Sequence, residues 1–297
     1  MPNPNINRRA PGVTLASGGI VYDPEVNDWV TRVIANGGSV STSTKNAANT
    51  FINAVNAVSG LRSKILRLNL FAGDQFLAAQ VPFIKDVGST VDEAFVGNDS
   101  TPGSSSDWTY VETGSTGGLT ALTAGSYLKT GVGMVGPFAA DSYTKSSFGV
   151  YVKTASTELG ASLGAQDLFN TNSAILMLIG WVDGNSYGYN HVTGGSANLI
   201  PDSVKKGLYI SSRTSSTLIT LYRDGSSVVS NSSATIVVPV SDVTINVFSY
   251  RTTTVASNAP TTKQLLGHFE GLDLDATQVT GLTNALVAFN TTLNRQP

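Results

Sequence analysis

A chain of 297 residues with a net charge of −2 and only 13% charged residues is long enough for a substantial core, and it offers no broad basic surface for nucleic acid. It has no cysteine, which excludes disulfides and thiolate metal sites. No run approaches the ~18 consecutive apolar residues a spanning helix needs, so no membrane insertion is expected.

In chain order, residues 1–22 carry Pro2, Pro4 and Pro11 and no periodicity, which predicts an extended arm. Arg8-Arg9 is not followed by the apolar stretch of an export signal. A helical segment is expected over 23–97. Asp23 can cap a first helix with Pro24 at its first position, and Val26, Trp29, Val30 and Val33 form one apolar face. That periodicity reads Trp29 as core rather than as a ligand platform. Asn36-Gly37-Gly38 stops the helix. A second helix is expected over 43–58, with Ala47, Phe51, Val55 and Val58 inward, and a third over 61–68.

The loop NDSTPGSSSD at 98–107 is the best internal boundary, and residues 98–297 read as a β-sandwich. Strands are expected at 108–112, 126–130, 147–153, 175–182 and 187–192. Residues 207–229, GLYISSRTSSTLITLYRDGSSVV, read as a β-meander. Asp224-Gly225 is its hairpin turn, because a type I′ turn needs φ > 0 at both central residues. Leu218, Thr220 and Tyr222 point one way and Ile219, Leu221 and Arg223 the other. Both sides are partly apolar, which suits an inner strand. Strands at 243–250 and 264–269 follow. A closing helix is expected over 275–294. Asp275 and Gln278 form a capping box, Leu274 and Val279 a staple, and Val279, Leu282, Leu286, Phe289 and Leu293 a clean apolar stripe.

Strand, Ser-Arg-Thr-Ser-Ser, strand, Tyr-Arg-Asp-Gly, strand resembles a module of bacteriophage-encoded proteins with a concanavalin A-like (laminin G-like) fold. GLRSKILRLNLFAGDQFLAAQVPFIKDVG at 60–88 resembles the same family's Gly-Leu-Trp-x-Lys-Ile…Phe-x-Gly segment, with Arg62 at its Trp position. HFEGLDLDATQVTGLTNALVAFNTTLNRQ at 268–296 resembles its closing Phe-x-x-Gly-Leu plus helix. The resemblance implies a mainly β antiparallel sandwich with an N-terminal helical segment and a C-terminal amphipathic helix. It also implies a non-enzymatic virion protein on head, collar or tail, made in the host cytoplasm. Its expected partners are other virion proteins, met through the N-terminal arm, and further copies of itself.

Three groups of side chains could carry chemistry. Glu270, Asp273 and Asp275 are an acidic cluster, but a retaining glycosidase needs two carboxylates ~5 Å apart, and Gly271-Leu272 interrupts the spacing. His191 and His268 are the two histidines; no Gly-x-Ser-x-Gly elbow accompanies them, so a structural role is their default. Trp181, Asp183, Asn185, Tyr187, Tyr189 and His191 form a polar-aromatic group in WVDGNSYGYNHV. Asp183-Gly184 is expected to fold the strand back and place Tyr187, Tyr189 and His191 on one face. Such a face suits the CH patches and hydroxyls of a host-surface glycan, and the same residues would equally fill or edge a sandwich core. Laminin G-like folds can hold Ca²⁺, but the sequence assigns no ligand positions, and no other cofactor is expected. A scaffold or decoration subunit therefore ranks first, a lectin-like receptor binder second, and a glycan hydrolase third.

Overall fold

The computed structural model describes residues 20–87, 94–96, 105–123, 125–141, 143–168, 172–193 and 198–297. The expected arm at 1–22 falls almost wholly outside them, as does most of the boundary loop at 98–107.

The Asp23 side chain accepts the Glu25 amide at 2.9 Å, and Pro24 opens α1 (Pro24–Ala35). Ser41 caps α2 (Thr42–Ala57) by accepting the Thr44 amide. The third helix, α3 (Leu61–Lys64), is a single turn, and the chain continues directly as β1 (Ile65–Asn69). The expected helix to residue 68 is therefore corrected. Residues 65–69 pair with strands on both sides, and two ladders outweigh a weak helical preference.

The strands that follow are β2 (Ile84–Lys85), β3 (Ala94–Val96), β4 (Trp108–Val111), β5 (Gly118–Ala121), β6 (Tyr127–Gly133) and β7 (Ser146–Val152). Next come β8 (Leu163–Asp167), β9 (Ser173–Leu178), β10 (Asn185–Val192), β11 (Asn198–Pro201) and β12 (Gly207–Arg213). The last are β13 (Ile219–Arg223), β14 (Ser226–Asn231), β15 (Thr244–Val247), β16 (Arg251–Thr252) and β17 (Gln264–Gly271), before helix α4 (Ala276–Thr292). The first sheet runs β14-β13-β12-β7-β17-β1-β2, with β5 also on β17 and β4 on β5. The second runs β11-β10-β9-β8-β15-β6-β3, with β16 on β8. All pairings are antiparallel except β16 with β8. This is a mainly β, concanavalin-like sandwich.

Phe148, Val150, Tyr209 and Leu221 of the first sheet meet Leu163, Ile175, Met177 and Val247 of the second in the interior. The opposite face of the first sheet carries Tyr151, Leu208, Ile210 and Phe269, and the helices cover it with Trp29, Phe51, Leu286 and Phe289. The fold is therefore three layers deep: helices, first sheet, second sheet. Each of these large side chains contributes roughly 1.5–3 kcal/mol by leaving water, which fixes helices that would be marginal alone. Trp29 is core, as its periodicity implied. The α4 capping box forms, with Gln278 N–H donating to Asp275 Oδ1 at 2.9 Å and Asp275 N–H to Gln278 Oε1 at 3.2 Å. Phe289 on α4 meets Phe51 on α2 at 6.1 Å between ring centres.

The segment 23–97 is not a purely helical unit, because its strands β1 and β2 complete the first sheet and β3 pairs in the second. The three segments that carry the family resemblance also converge. They supply, wholly or in part, every strand of the first sheet's path except β7, together with α3 and α4. Asp224 and Gly225 have φ of 48° and 83°, as a type I′ turn requires. Arg213 of the Ser-Arg-Thr-Ser-Ser motif is buried. It donates to Asn190 O at 2.9 Å and to Ser216 O and Ala234 O at 3.0 Å, which ties β12 of one sheet to β10 of the other. Arg62, at the family's Trp position, instead pairs with Glu25 and, at 2.8 Å, with Asp86.

Candidate functional site

Strands β9 and β10 are joined by residues 179–184, with Trp181-Val182-Asp183-Gly184 at the turn. The Gly184 amide donates to Trp181 O at 2.8 Å, and the Trp181 amide to Asn185 O at 2.7 Å. Gly184 has φ of 84°, a left-handed conformation that closes the loop without a Cβ penalty. The expected fold-back at Asp183-Gly184 is present.

Beyond the turn, β10 alternates in an inverted sense. Ser186, Gly188 and Asn190 point into the sandwich, and each fits there. The Ser186 hydroxyl donates to Asp202 Oδ2 at 2.6 Å and accepts the Gly180 amide at 2.9 Å. Gly188 leaves room for Leu221, whose Cδ1 would lie 3.0 Å from an added Cβ. Asn190 accepts the Ser146 hydroxyl at 2.6 Å and donates to Ser146 O at 3.0 Å. Tyr187 and Tyr189 point outward and stack, with ring centres 6.3 Å apart and an interplanar angle of 24°. Leu178 and Leu176 stand opposite them on β9, and Trp181 and Tyr250 pack on the same outer cluster. A strand built only to fill a core would place its large rings inside and its small polar residues outside.

Asp183 stands at the rim. Its carboxylate accepts the Tyr187 hydroxyl and, at 3.0 Å, the Asn185 amide. The Tyr187 bond, then the Asn185 amide, hold this carboxyl below the usual carboxylate range, and the same bond pushes the Tyr187 phenol up. Asp183 is thus an ionised acceptor that can receive sugar hydroxyls.

His191 does not share this face, which corrects the alternation-based expectation. The β9–β10 register shifts between Asn190 and Val192, and His191 takes φ of 52° in the resulting bulge. The extra residue turns the ring inward, where it lies 5.0 Å from the Tyr143 ring and 5.7 Å from Phe138, fully buried. In its place the fold brings Tyr250, which sequence spacing could not associate with residues sixty positions earlier.

The acidic cluster is dispersed into separate structural tasks. Glu270 is buried in the sandwich, 3.2 Å from His268 Nδ1. Asp273 pairs with Lys64 at 3.4 Å, and Asp275 caps α4. Among the described residues, no group of three or more His, Asp or Glu side chains could hold a metal ion. Among the same residues, no helix is long and apolar enough to cross a membrane.

No protein-family model matches the chain, and a comparison with curated proteins gives no match. Solved structures are similar in fold. Domain 4 of AbnA, a GH43 extracellular arabinanase from Geobacillus stearothermophilus, in complex with arabinotriose, aligns at TM-score 0.49 and 14% identity, over 74% of this chain and 98% of that one. The Ruminococcus gnavus IT-sialidase CBM40 bound to α2,6 sialyllactose aligns at 0.37 and 11%, over 52% and 93%. A Trypanosoma rangeli sialidase aligns at 0.44 and 12%; this chain covers 38% of its length. All these TM-scores lie below 0.5, so what this chain does is argued from its own residues.

Proposed function

We propose that this chain is a non-enzymatic glycan-binding subunit of a bacteriophage particle, with Trp181, Tyr187, Tyr189 and Tyr250 as the sugar platform. The observation that carries the glycan reading is the inversion of β10, which turns two stacked tyrosines outward above a buried polar row. Aromatic faces of this kind match the CH faces of pyranose rings, and Asp183 and Asn185 at the rim supply hydroxyl partners. Hydrolysis is disfavoured because Glu270, Asp273 and Asp275 are each committed elsewhere. The particle setting rests on the family resemblance, whose three segments supply the strands on either side of β7 in the first sheet, together with α3 and α4. In that setting the chain would meet neighbouring virion proteins through residues 1–22 and form homo-oligomers.

A glycan array followed by calorimetry on the hits tests the glycan reading. Each stacked ring contributes about 0.5–1.5 kcal/mol, so Tyr187→Ala/Tyr189→Ala should weaken binding on the order of tenfold while the melting temperature holds. A second reading, a decoration subunit that binds no sugar, is favoured by the same convergence of motif segments. A flat array would select it. Deleting residues 1–20 should leave folding intact and abolish incorporation into particles; normal incorporation would remove the arm from the proposal.

A further inference from the structure

The aromatic platform carries charge of one sign. Asp183 is exposed at its rim, and it accepts only the Tyr187 hydroxyl and the Asn185 amide, both neutral donors. No cation contributes to holding its carboxyl down, and it has no ion-pair partner among the described residues. Two cations near it in sequence or space turn elsewhere. Arg251 follows Tyr250, but it pairs with interior Ala165 and so lies on the opposite face of the sheet. Lys205, which lies along Gly180, donates to Thr157 Oγ1 at 2.5 Å.

The phenols beside Asp183 add to the same sign of potential. The Tyr187 proton is committed to Asp183, and Tyr250 Oη accepts Asn258 Nδ2 at 2.6 Å. Burial first, then the neighbouring Tyr187, Asp183 and Tyr250 groups, push the Tyr189 phenol up. These four side chains therefore lie within reach of one another's fields. A carboxylate without a counter-ion, among ring faces whose quadrupole is negative, attracts an organic ammonium. We infer that the glycan carries free, protonated amino groups, one of them seated on Asp183 against the tyrosine rings. This rests on the glycan reading above and names its sugar class. Acetylation of the amine would remove the charge that Asp183 recognises.

The test is calorimetric titration with glucosamine oligosaccharides, each beside its N-acetylated counterpart of equal length, in mildly acidic buffer at low salt. The wild-type chain should bind the free-amine member about tenfold more tightly, and added salt should shrink that ratio. Asp183→Ser keeps a hydroxyl acceptor for the Asn185 amide and removes the charge, so it should bring the ratio close to one. Equal affinity for the two members, or a ratio that survives Asp183→Ser, would overturn the amine inference. The platform is judged separately, because Tyr187→Ala/Tyr189→Ala should weaken binding of whichever members bind. Undiminished binding in that variant would overturn the platform. Failure of both members beside a hit elsewhere on the glycan array rejects the amine inference alone, and failure on the array as well rejects both.

Discussion

Acidification from pH 7 to pH 4 should destabilise this protein, and a separable part of the loss comes from His191. Its ring is fully buried among Phe138, Tyr143 and Phe148, and neither ring nitrogen has a hydrogen-bond partner. Burial, reinforced by the nearby Arg213 charge, pushes its pKa from 6.5 down to about 3. The fold therefore keeps the imidazole neutral, whereas the unfolded chain takes up a proton near its ordinary pKa. Between the two values the unfolded state binds more protons, so stability is complete above about pH 6.5 and falls as pH drops, by about 1.4 kcal/mol per unit. At pH 4 the accumulated loss is about 3 kcal/mol, a large fraction of the 5–15 kcal/mol typical of a domain. Urea unfolding at pH 7 and pH 4, on wild type and His191→Phe, isolates this term. Phenylalanine keeps the ring contacts and cannot be protonated; its strain at φ of 52° adds only a pH-independent offset. The carboxylates are common to both proteins and cancel. Wild type should lose about 3 kcal/mol more than the variant, and parallel losses would show that the ring finds a partner or water in solution.

Three further substitutions probe the packing. Leu286→Asp sets a carboxylate among Tyr151, Leu208 and Phe269 under α4 and should cost more than about 4 kcal/mol in a denaturant melt; a near-neutral result would mean that α4 does not dock on the sheet. Asp275→Ala removes one arm of the capping box and should cost about 1 kcal/mol. Gly149→Ala would place a Cβ 2.1 Å from Phe269 Cε1 and should cost about 1–3 kcal/mol, with Phe269→Leu restoring part of the loss.

What the sequence disclosed was written in short-range signals. Asp23-Pro24, the Asp275–Gln278 box and Asp224-Gly225 each act within four residues, and each element they mark is present. Strand β8 was not legible. Its Leu-Gly-Ala-Gln-Asp holds no β-branched or aromatic residue, yet it lies inside the second sheet. Gly164 explains the choice, since a Cβ there would approach Leu176 Cδ2 to 2.5 Å and Tyr250 Cβ to 3.0 Å. At the candidate site, alternation alone placed Tyr187 and Tyr189 together. It misplaced His191, because a bulge adds a residue without leaving a mark in the pattern. The arrival of Tyr250 depends on tertiary pairing, which residue spacing does not encode.

The position of β17 has a consequence for how this molecule is made. That strand lies between β7 and β1, although its residues, 264–271, follow every other strand in the chain. Until they emerge, β7 and β1 each present a bare edge, and the apolar face that α4 will cover stays open to solvent. Contacts of such long sequence separation close slowly. Synthesis that halts before Gln264 should therefore yield not a smaller soluble domain but an aggregating one, and supplying residues 264–297 in trans should rescue it by inserting the missing middle strand.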